Sequence, residues 1–299
     1  MAQLTVILER LSEQLGPLHS GPVALDGGIT NRNFRVRLGE HDCVVRLPGK
    51  HTELLGIDRG AERTASREAA RLGIAPAVLA ADEDCLVTEW VPGAPIENRR
   101  LRAHPESAAR ALRVFHESGV QLPTEFWVPD LLARYAEIVS GHGRDLPADY
   151  EPTQELVGRI AEVLPLERPV ACHDDLLPGN ILATDAEPDD AVLVDWEYAG
   201  MGHPMFDLGN LVINNQFDVS DQDRLLAAYY GEPPTAGRRA ALNLFKLVSD
   251  AREAAWGVVQ QSISELEFDF AAYAREHFER LRAGAADPRL QEWLDGATA

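Results

Sequence analysis

Residues 171 to 200 read ACHDDLLPGNILATDAEPDDAVLVDWEYAG, and five oxygen donors in that stretch, Asp174, Asp175, Asn180, Asp195 and Glu197, stand beside apolar runs at 180–182 and 191–194. A buried carboxylate without a partner is expensive, so acids at the ends of buried strands imply something positive to hold. His173, Asp175 and Asn180 fit the spacing H-x-D-x-x-x-x-N, and Asp195 follows fifteen residues after Asn180. Counting back from Asn180 selects Asp175, not Asp174, as the carboxylate of this motif. Such a spacing serves phosphoryl transfer. The Asp positions an attacking hydroxyl and accepts its proton, while the Asn and the later Asp hold magnesium bridging nucleotide phosphates. His173 is then structural and orients the loop. Hard oxygen donors suit magnesium, and no His cluster offers a zinc site. The bare spacing is weak, because Asp and Asn also favour turns and caps. A strand-borne Asp195 and a fitting first lobe make it strong.

The first lobe supplies the fit. Gly27-Gly28-Ile29-Thr30-Asn31 is a Gly-rich turn whose backbone amides, at Gly28, Thr30 and Asn31, can approach phosphate oxygens closely. Taken alone, it reads equally well as an ordinary hairpin. Arg46, on the strand that follows, stays charged and forks onto phosphate and carboxylate together. The next helix offers Glu62 and Glu68 as ion-pair partners. Glu62, sixteen residues beyond Arg46, is favoured because Glu68 shares an exposed side with Arg67 and Arg71. An exposed pair contributes little, so the value of Arg46–Glu62 is geometric, as a phosphate clamp. Glu89 and Val91 sit at the inter-lobe strand, where main-chain groups meet the adenine. Glu197, two residues after Asp195, shares its side on an extended segment and so assists magnesium or the acceptor. Asp207, in FDLGN, caps or buttresses the catalytic loop.

These residues need a scaffold, and the periodicity predicts an α+β one. A helix over 2–15 ends at Gly16-Pro17, strands follow at 33–38 and 43–47 around a turn at 39–42, and a helix over 58–72 stops at Gly73. Strands at 77–80 and 85–90 complete a β-rich N-lobe, 1–92, that carries the nucleotide phosphates. A Pro-Gly hinge lies at 91–95. The C-lobe, 93–299, reads as helical at 106–118, 130–140, 152–163, 221–230, 238–262 and 265–281, with the quoted stretch as its one strand-like island. The chain has 299 residues and a net charge of -20, which repels nucleic acid and anionic membranes and favours a cationic partner. Most of that charge is a solubility coat. Cys43, Cys85 and Cys172 are odd in number and scattered among apolar residues, as reduced core thiols are. The N-terminal helix carries acids and no signal-peptide core, and no apolar run approaches 18 residues. A soluble cytoplasmic protein is expected.

GGITNRNFRVRL, the strand Arg in VVRLPG, CHDDLLPGNIL and VLVDWEYAGMGHPMFDLGN together resemble the choline/ethanolamine kinase family, within the aminoglycoside-phosphotransferase-like kinases. WGVVQQSISELEFDFAAYA, 256–274, is similar to the family's C-terminal substrate helices, so the resemblance runs from about 24 to 281. D-W-E-Y at 195–198 and Arg46 in place of Lys are its most specific features. The resemblance implies a protein-kinase-like bilobal fold, with ATP and Mg2+ as cofactors. It also implies a small cationic amino alcohol held in an aromatic cage, because a methylated cation binds π faces. Trp256, Phe270 and Tyr273 fall at the cage positions, and Phe270 and Tyr273, three apart, share a helix face. Without the resemblance they read as core packing.

Three departures stand out. Glu253 replaces a second Trp three residues before Trp256, Asp174 replaces the Asn after the motif His, and Leu211-Val212-Ile213-Asn214 replaces H-F-x-E. A carboxylate at 253 suits a cation that also donates hydrogen bonds, which raises ethanolamine or another amino alcohol over choline. Asp175, Glu197, Glu253, Trp256, Phe270 and Tyr273 make up the expected acceptor side. Rival readings are a kinase of an aminoglycoside, thiamine or a thioribose, and a nucleotide-binding pseudokinase. Intact Asp175, Asn180 and Asp195 argue against the pseudokinase. A protein kinase ranks last, for want of an A-P-E element. Oligomeric state stays open.

Overall fold

The computed structural model describes residues 2–25, 31–96, 98–184 and 190–298. Helix α1 (Ala2–Leu15) places Leu4, Ile7, Leu8 and Leu11 on one stripe, and that stripe buries against an antiparallel five-stranded sheet. The sheet comprises β1 (Leu18–Leu25), β2 (Arg32–Leu38), β3 (His41–Leu47), β4 (Val78–Ala81) and β5 (Leu86–Glu89), in the order β1-β2-β3-β5-β4. The alternation read in β2 puts Val36 and Leu38 inside, with Phe34 half-buried. Strand β1 has no counterpart in the sequence reading, because Gly21-Pro22 interrupts its pattern. It is an edge strand with register shifts at Ser20 and Val23, where a missing N–H is tolerated. The β2–β3 turn is tighter than expected, with Leu38 already paired to His41. Gly39 there has φ 54, and a Cβ on it would lie 2.4 Å from the Leu15 carbonyl oxygen. Helix α2 (Arg59–Arg71) runs between β3 and β4, capped by Asp58, whose side chain accepts from the Ala61 N–H at 2.8 Å.

The expected hinge is instead a short strand, β6 (Gly93–Pro95), antiparallel to a strand of the helical lobe. That lobe begins with α3 (Asn98–Ala103), α4 (Pro105–His116), α5 (Val128–Gly141) and α6 (Tyr150–Val163). Four short strands then frame the site: β7 (Val170–Cys172), β8 (Ile181–Thr184), β9 (Ala191–Leu193) and β10 (Gly200–Gly202). β6-β8-β9 form one sheet and β7-β10 another. Helices α7 (Pro204–Asn214), α8 (Val219–Tyr230), α9 (Ala236–Ile263), α10 (Phe270–Ala285) and α11 (Leu290–Gly296) complete the lobe.

Helix α9 is its axis, buried nearly all round from Ala240 to Gln260. Gly209 lets α7 lie directly on it, since a Cβ there would come within 2.7 Å of the Phe245 backbone. Helix α10 starts at Phe270, five residues later than expected, because Asp269 caps it by accepting from the Ala272 N–H. The sheet and α1 enclose one buried cluster. The helical lobe encloses a larger one that also takes in Ala65 and Ala69 of α2. Among the described residues, no helix is long and apolar enough to cross a membrane.

Candidate active site

The loop between β7 and β8 is pinned by its backbone. Asp207, fully buried in the first turn of α7, accepts from the His173 N–H through Oδ2 and from the Asp174 N–H through Oδ1, both at 2.8 Å. His116 of α4 bonds the same Oδ2 at 2.9 Å through Nε2. Asn210, one turn further, accepts from the Leu176 N–H at 2.6 Å, and Asn215 donates to the Leu176 carbonyl at 3.1 Å. FDLGN is thus a bracket that grips the loop from below. Burial alone would raise the Asp207 carboxyl, but the bonds and charge of His116 and His173 hold it below the usual aspartate range. His116, Cys172 and Asp207 gather three ligand-type atoms within 4.8 Å, and the His–Asp bond within that group is part of the bracket.

His173 reads as the orienting residue it was expected to be. Its Nε2 lies 3.0 Å from the Val194 carbonyl, and Nδ1 accepts from the Asp175 N–H at 3.3 Å. That pattern requires the neutral tautomer with the proton on Nε2, and burial lowers its pKa accordingly. Asp174 follows in a left-handed conformation, φ 64, with its side chain fully enclosed. Burial and the charge of Asp207 hold its carboxyl well above the usual aspartate range.

Asp175 points away from the bracket. Its Oδ2 accepts from Asn180 Nδ2 at 2.9 Å, and its Oδ1 from Arg252 Nη1 at 3.2 Å. Burial raises its pKa; Arg252 opposes that rise, while Glu253, Asp195 and Glu197 add to it. A raised proton affinity suits a group that must take a proton from an alcohol. Asn180 also donates to the Asp175 carbonyl at 2.8 Å, so its amide nitrogen is spent and its carbonyl oxygen is the atom left to offer.

Across the lobe junction, Arg46 ion-pairs with both Glu62 of α2 and Asp195. Asp195 adopts φ 67 and keeps 26% of its side chain exposed. The segment is therefore not the extended one expected, yet Asp195 and Glu197 still turn toward the N-lobe, each on its own arginine. Arg59, at the start of α2, bonds Glu62 at 2.8 Å, Glu197 at 3.3 Å and Asn31 Oδ1 at 3.0 Å. Asn31 Nδ2 in turn donates to Glu197 at 2.8 Å. Burial and the Asp195 charge raise the Glu197 carboxyl, against the pull of Arg46 and Arg59. Glu68 stays outside this network and pairs with Arg71 on the surface.

Arg46, Asn180 and Asp195 face a cleft of about 410 Å³ between the lobes, walled by Val44, Pro76, Thr88, Val91, Leu182 and Val194, among others. The N–H groups of Glu89 and Trp90 are spent inside the sheet, on the Ala77 and Asp42 carbonyls, and Val91 comes next along the wall. The Glu89 side chain is exposed. Asn180 Oδ1 and the Asp195 carboxylate are hard oxygens on one cleft wall, a donor set that fits magnesium. Gly28 and Thr30 lie outside the described residues.

On the other side of Asp175 the expected aromatic residues do meet. Trp256 packs edge-to-face on Phe270, at 5.6 Å and 68°, and on Tyr273, at 5.4 Å and 70°. Trp256 Nε1 donates to the Tyr198 hydroxyl at 2.8 Å. Glu253, only 1% exposed, accepts from Arg252 at 2.9 Å, from Asn210 at 3.4 Å and from the Tyr273 hydroxyl at 2.8 Å. Sequence reasoning passed over Arg252, Arg59, His116 and Asn210. Arg59 carried a signal, standing three residues before Glu62 on the same helical face. So did Arg252, which stands between Asp250 and Glu253 in a mostly apolar helical stretch.

The sequence pattern of the Phosphotransferase enzyme family matches residues 22–242. Ethanolamine kinase 2 of Mus musculus is 30% identical over 281 residues, covering 83% of this chain and 71% of the mouse protein. A choline/ethanolamine kinase family protein from Mesorhizobium loti superposes with a TM-score of 0.80 at 30% identity, covering 99% of this chain and 97% of its own. Choline kinase LicA from Streptococcus pneumoniae gives a TM-score of 0.79 at 23% identity over 96% of this chain and 99% of its own, and LicA has also been seen in complex with AMP.

Proposed function

This chain belongs to the Phosphotransferase enzyme family and, within it, to the choline/ethanolamine kinases, small-molecule kinases with an alcohol acceptor, and on that footing we propose that it transfers the γ-phosphate of ATP to the hydroxyl of a small cationic amino alcohol of the choline or ethanolamine type. The observation that carries the reading is the placing of Asn180 and Asp195 on one cleft, with Asp175 bonded to Asn180 and Arg46 tied to Asp195 and Glu62.

The nucleotide occupies the cleft between β5 and β8. Its adenine meets the main chain near Glu89 and Val91, and its phosphates meet Arg46 and the amides of Gly28, Thr30 and Asn31. Arg46 holds Glu62 and Asp195 on separate nitrogens, so α2 and the segment after β9 are set relative to each other before substrate arrives. Asn180 and Asp195 would hold magnesium, which when bound neutralises phosphate charge. Asp175 receives the acceptor hydroxyl. Its two oxygens are aimed by Asn180 and Arg252, so the carboxylate does not rotate away. As the oxygen–phosphorus bond forms, the hydroxyl proton passes to Asp175, and the bond from the γ-phosphorus to its bridging oxygen breaks, releasing ADP. The protein contributes position and charge. We divide the lobes at 92/93 and, from the three buried free thiols, place the protein in the cytoplasm.

The test is ATP-dependent phosphate transfer with magnesium to a panel of choline, ethanolamine, thiamine, methylthioribose and kanamycin. Turnover of an amino alcohol is expected. Turnover of kanamycin or a thioribose alone would keep the phosphoryl-transfer machinery and overturn the acceptor.

A further inference from the structure

Arg252 belongs neither to the nucleotide clamp nor to the loop bracket, yet it is among the most completely buried side chains in the molecule. Its guanidinium carbon lies 4.3 Å from the centre of the Tyr198 ring, within cation–π range. Nη1 reaches both Asp175 and Glu253, while Nε and Nη2 have no hydrogen-bond partner among the described residues. A planar guanidinium lying over an aromatic ring has this signature, with the stack taking the place of bonds at the remaining nitrogens. Tyr198 is also the ring whose hydroxyl accepts from Trp256, so Arg252 stands against the same aromatic group that the acceptor must enter.

We propose that Arg252, held by Glu253, is an internal cation that occupies the Tyr198 face and thereby makes the acceptor site select a primary ammonium over a quaternary one; this deepens the amino-alcohol reading above and rests on it. A trimethylammonium group has no N–H to donate and relies on open π faces. Here the Tyr198 face is taken by Arg252. Trp256 meets Phe270 and Tyr273 in edge-to-face pairs, so part of that aromatic surface is spent within the group. The position where an additional aromatic wall was expected carries Glu253, whose oxygens already serve Arg252, Asn210 and Tyr273. A primary ammonium needs less room and is held by hydrogen bonds to oxygen. Two acidic side chains, Asp175 and Glu253, flank the one guanidinium. Arg252 acts through Asp175 and Tyr198 and is a positioning residue.

The experiment measures kcat/KM for ethanolamine, its N-methyl and N,N-dimethyl derivatives and choline, in the wild-type protein and in Arg252→Lys and Arg252→Met/Glu253→Gln. The double variant removes both charges at similar volume, a change that buried ion pairs often tolerate. Wild type should fall by about 10-fold or more from ethanolamine to choline, of the order one or two methyl groups contribute in a filled pocket. Arg252→Lys, which keeps a cation over the ring, should keep that ratio. The double variant should bring it within about 3-fold of unity. A purely structural role would lower both substrates together and leave the ratio unchanged. A flat methyl series in wild type, or an unchanged ratio in the double variant, overturns the proposal while leaving the amino-alcohol reading intact. Should the double variant not fold, the wild-type methyl series decides alone. Absence of turnover with all four acceptors, with ATP still bound, overturns the amino-alcohol reading and this proposal with it.

Discussion

Replacing Asp207 by Asn should uncouple the catalytic loop from α7, and the structure sets the size of the effect. Asp207 accepts three bonds with two oxygens, from the His173 and Asp174 amides and from His116. Asn keeps one carbonyl oxygen and puts an NH2 where the other stood. If that oxygen stays on the Asp174 amide, the NH2 faces the His173 N–H and His116 Nε2. His116 has a second tautomer, because Nδ1 can exchange roles with the Tyr229 hydroxyl. The His173 amide has no such freedom and is left buried against another donor. One orphaned buried amide costs about 1–3 kcal/mol, and weakening the charge-assisted bonds to neutral ones costs about 1 kcal/mol more each. The total, about 3–5 kcal/mol, corresponds to a melting temperature lower by roughly 5–8 °C for a chain of this size. Because Asp175 rides on the same loop, kcat should fall by about 100-fold or more, the scale of a misplacement near 1 Å. Thermal unfolding followed by circular dichroism, with steady-state kinetics on the folded fraction, measures both. The folded carboxyl titrates below its unfolded value, so its contribution is present above the ordinary aspartate range and is lost as pH falls through the folded value. The gap between wild type and Asp207→Asn should therefore narrow in acid. A variant within about 1 kcal/mol of wild type with full kcat would refute the bracket.

Two further outcomes follow from the same geometry. Arg46→Lys keeps the charge but loses the fork that reaches Glu62 and Asp195 on separate nitrogens, so kcat/KM for ATP should drop about 10- to 100-fold with KM for the acceptor little changed. His203 caps α7 by accepting from the Met205 N–H at 3.1 Å and stacks on Phe245, and burial lowers its pKa to about 4. The unfolded imidazole binds its proton more tightly, so this stability is full above about pH 6.5 and declines by roughly 3 kcal/mol as pH falls toward 4. His203→Asn, which keeps a cap without a titrating ring, should flatten that part of the stability profile in denaturant titrations at pH 7.5 and 4.5.

Much of this molecule was open to reading from its residues, for physical reasons. The amphipathic stripes of α1 and of the C-lobe helices carry their own period, and H-x-D-x-x-x-x-N followed by an Asp just after an apolar run constrains a loop tightly enough that Asp175, Asn180 and Asp195 could be singled out together, although Asp195 lies two residues beyond β9. Strand β1 was hidden by Gly21-Pro22, which reads as a break unless the strand is known to lie on an edge. The length of α10 was misjudged because Leu266 and Phe268 continue an apolar pattern, although both are exposed and the cap is Asp269. The pairings of Arg252 with Asp175 and of Arg59 with Glu197 were out of reach, because they span 77 and 138 residues and no local spacing encodes them. Glu253 was visible as a departure from the family pattern. What it bonds depends on Asn210 and Tyr273, on two other helices.

The role proposed for Asp175 is to take the proton of an alcohol attacking ATP. Its most direct test compares wild type with Asp175→Asn at saturating ethanolamine and magnesium, following ADP release and, separately, nucleotide affinity by equilibrium binding. In Asp175→Asn kcat should fall by about 100- to 10,000-fold while the ATP dissociation constant stays within about 3-fold. An Asp175→Asn protein that turns over within about 10-fold of wild type, at unchanged ATP affinity, would contradict it.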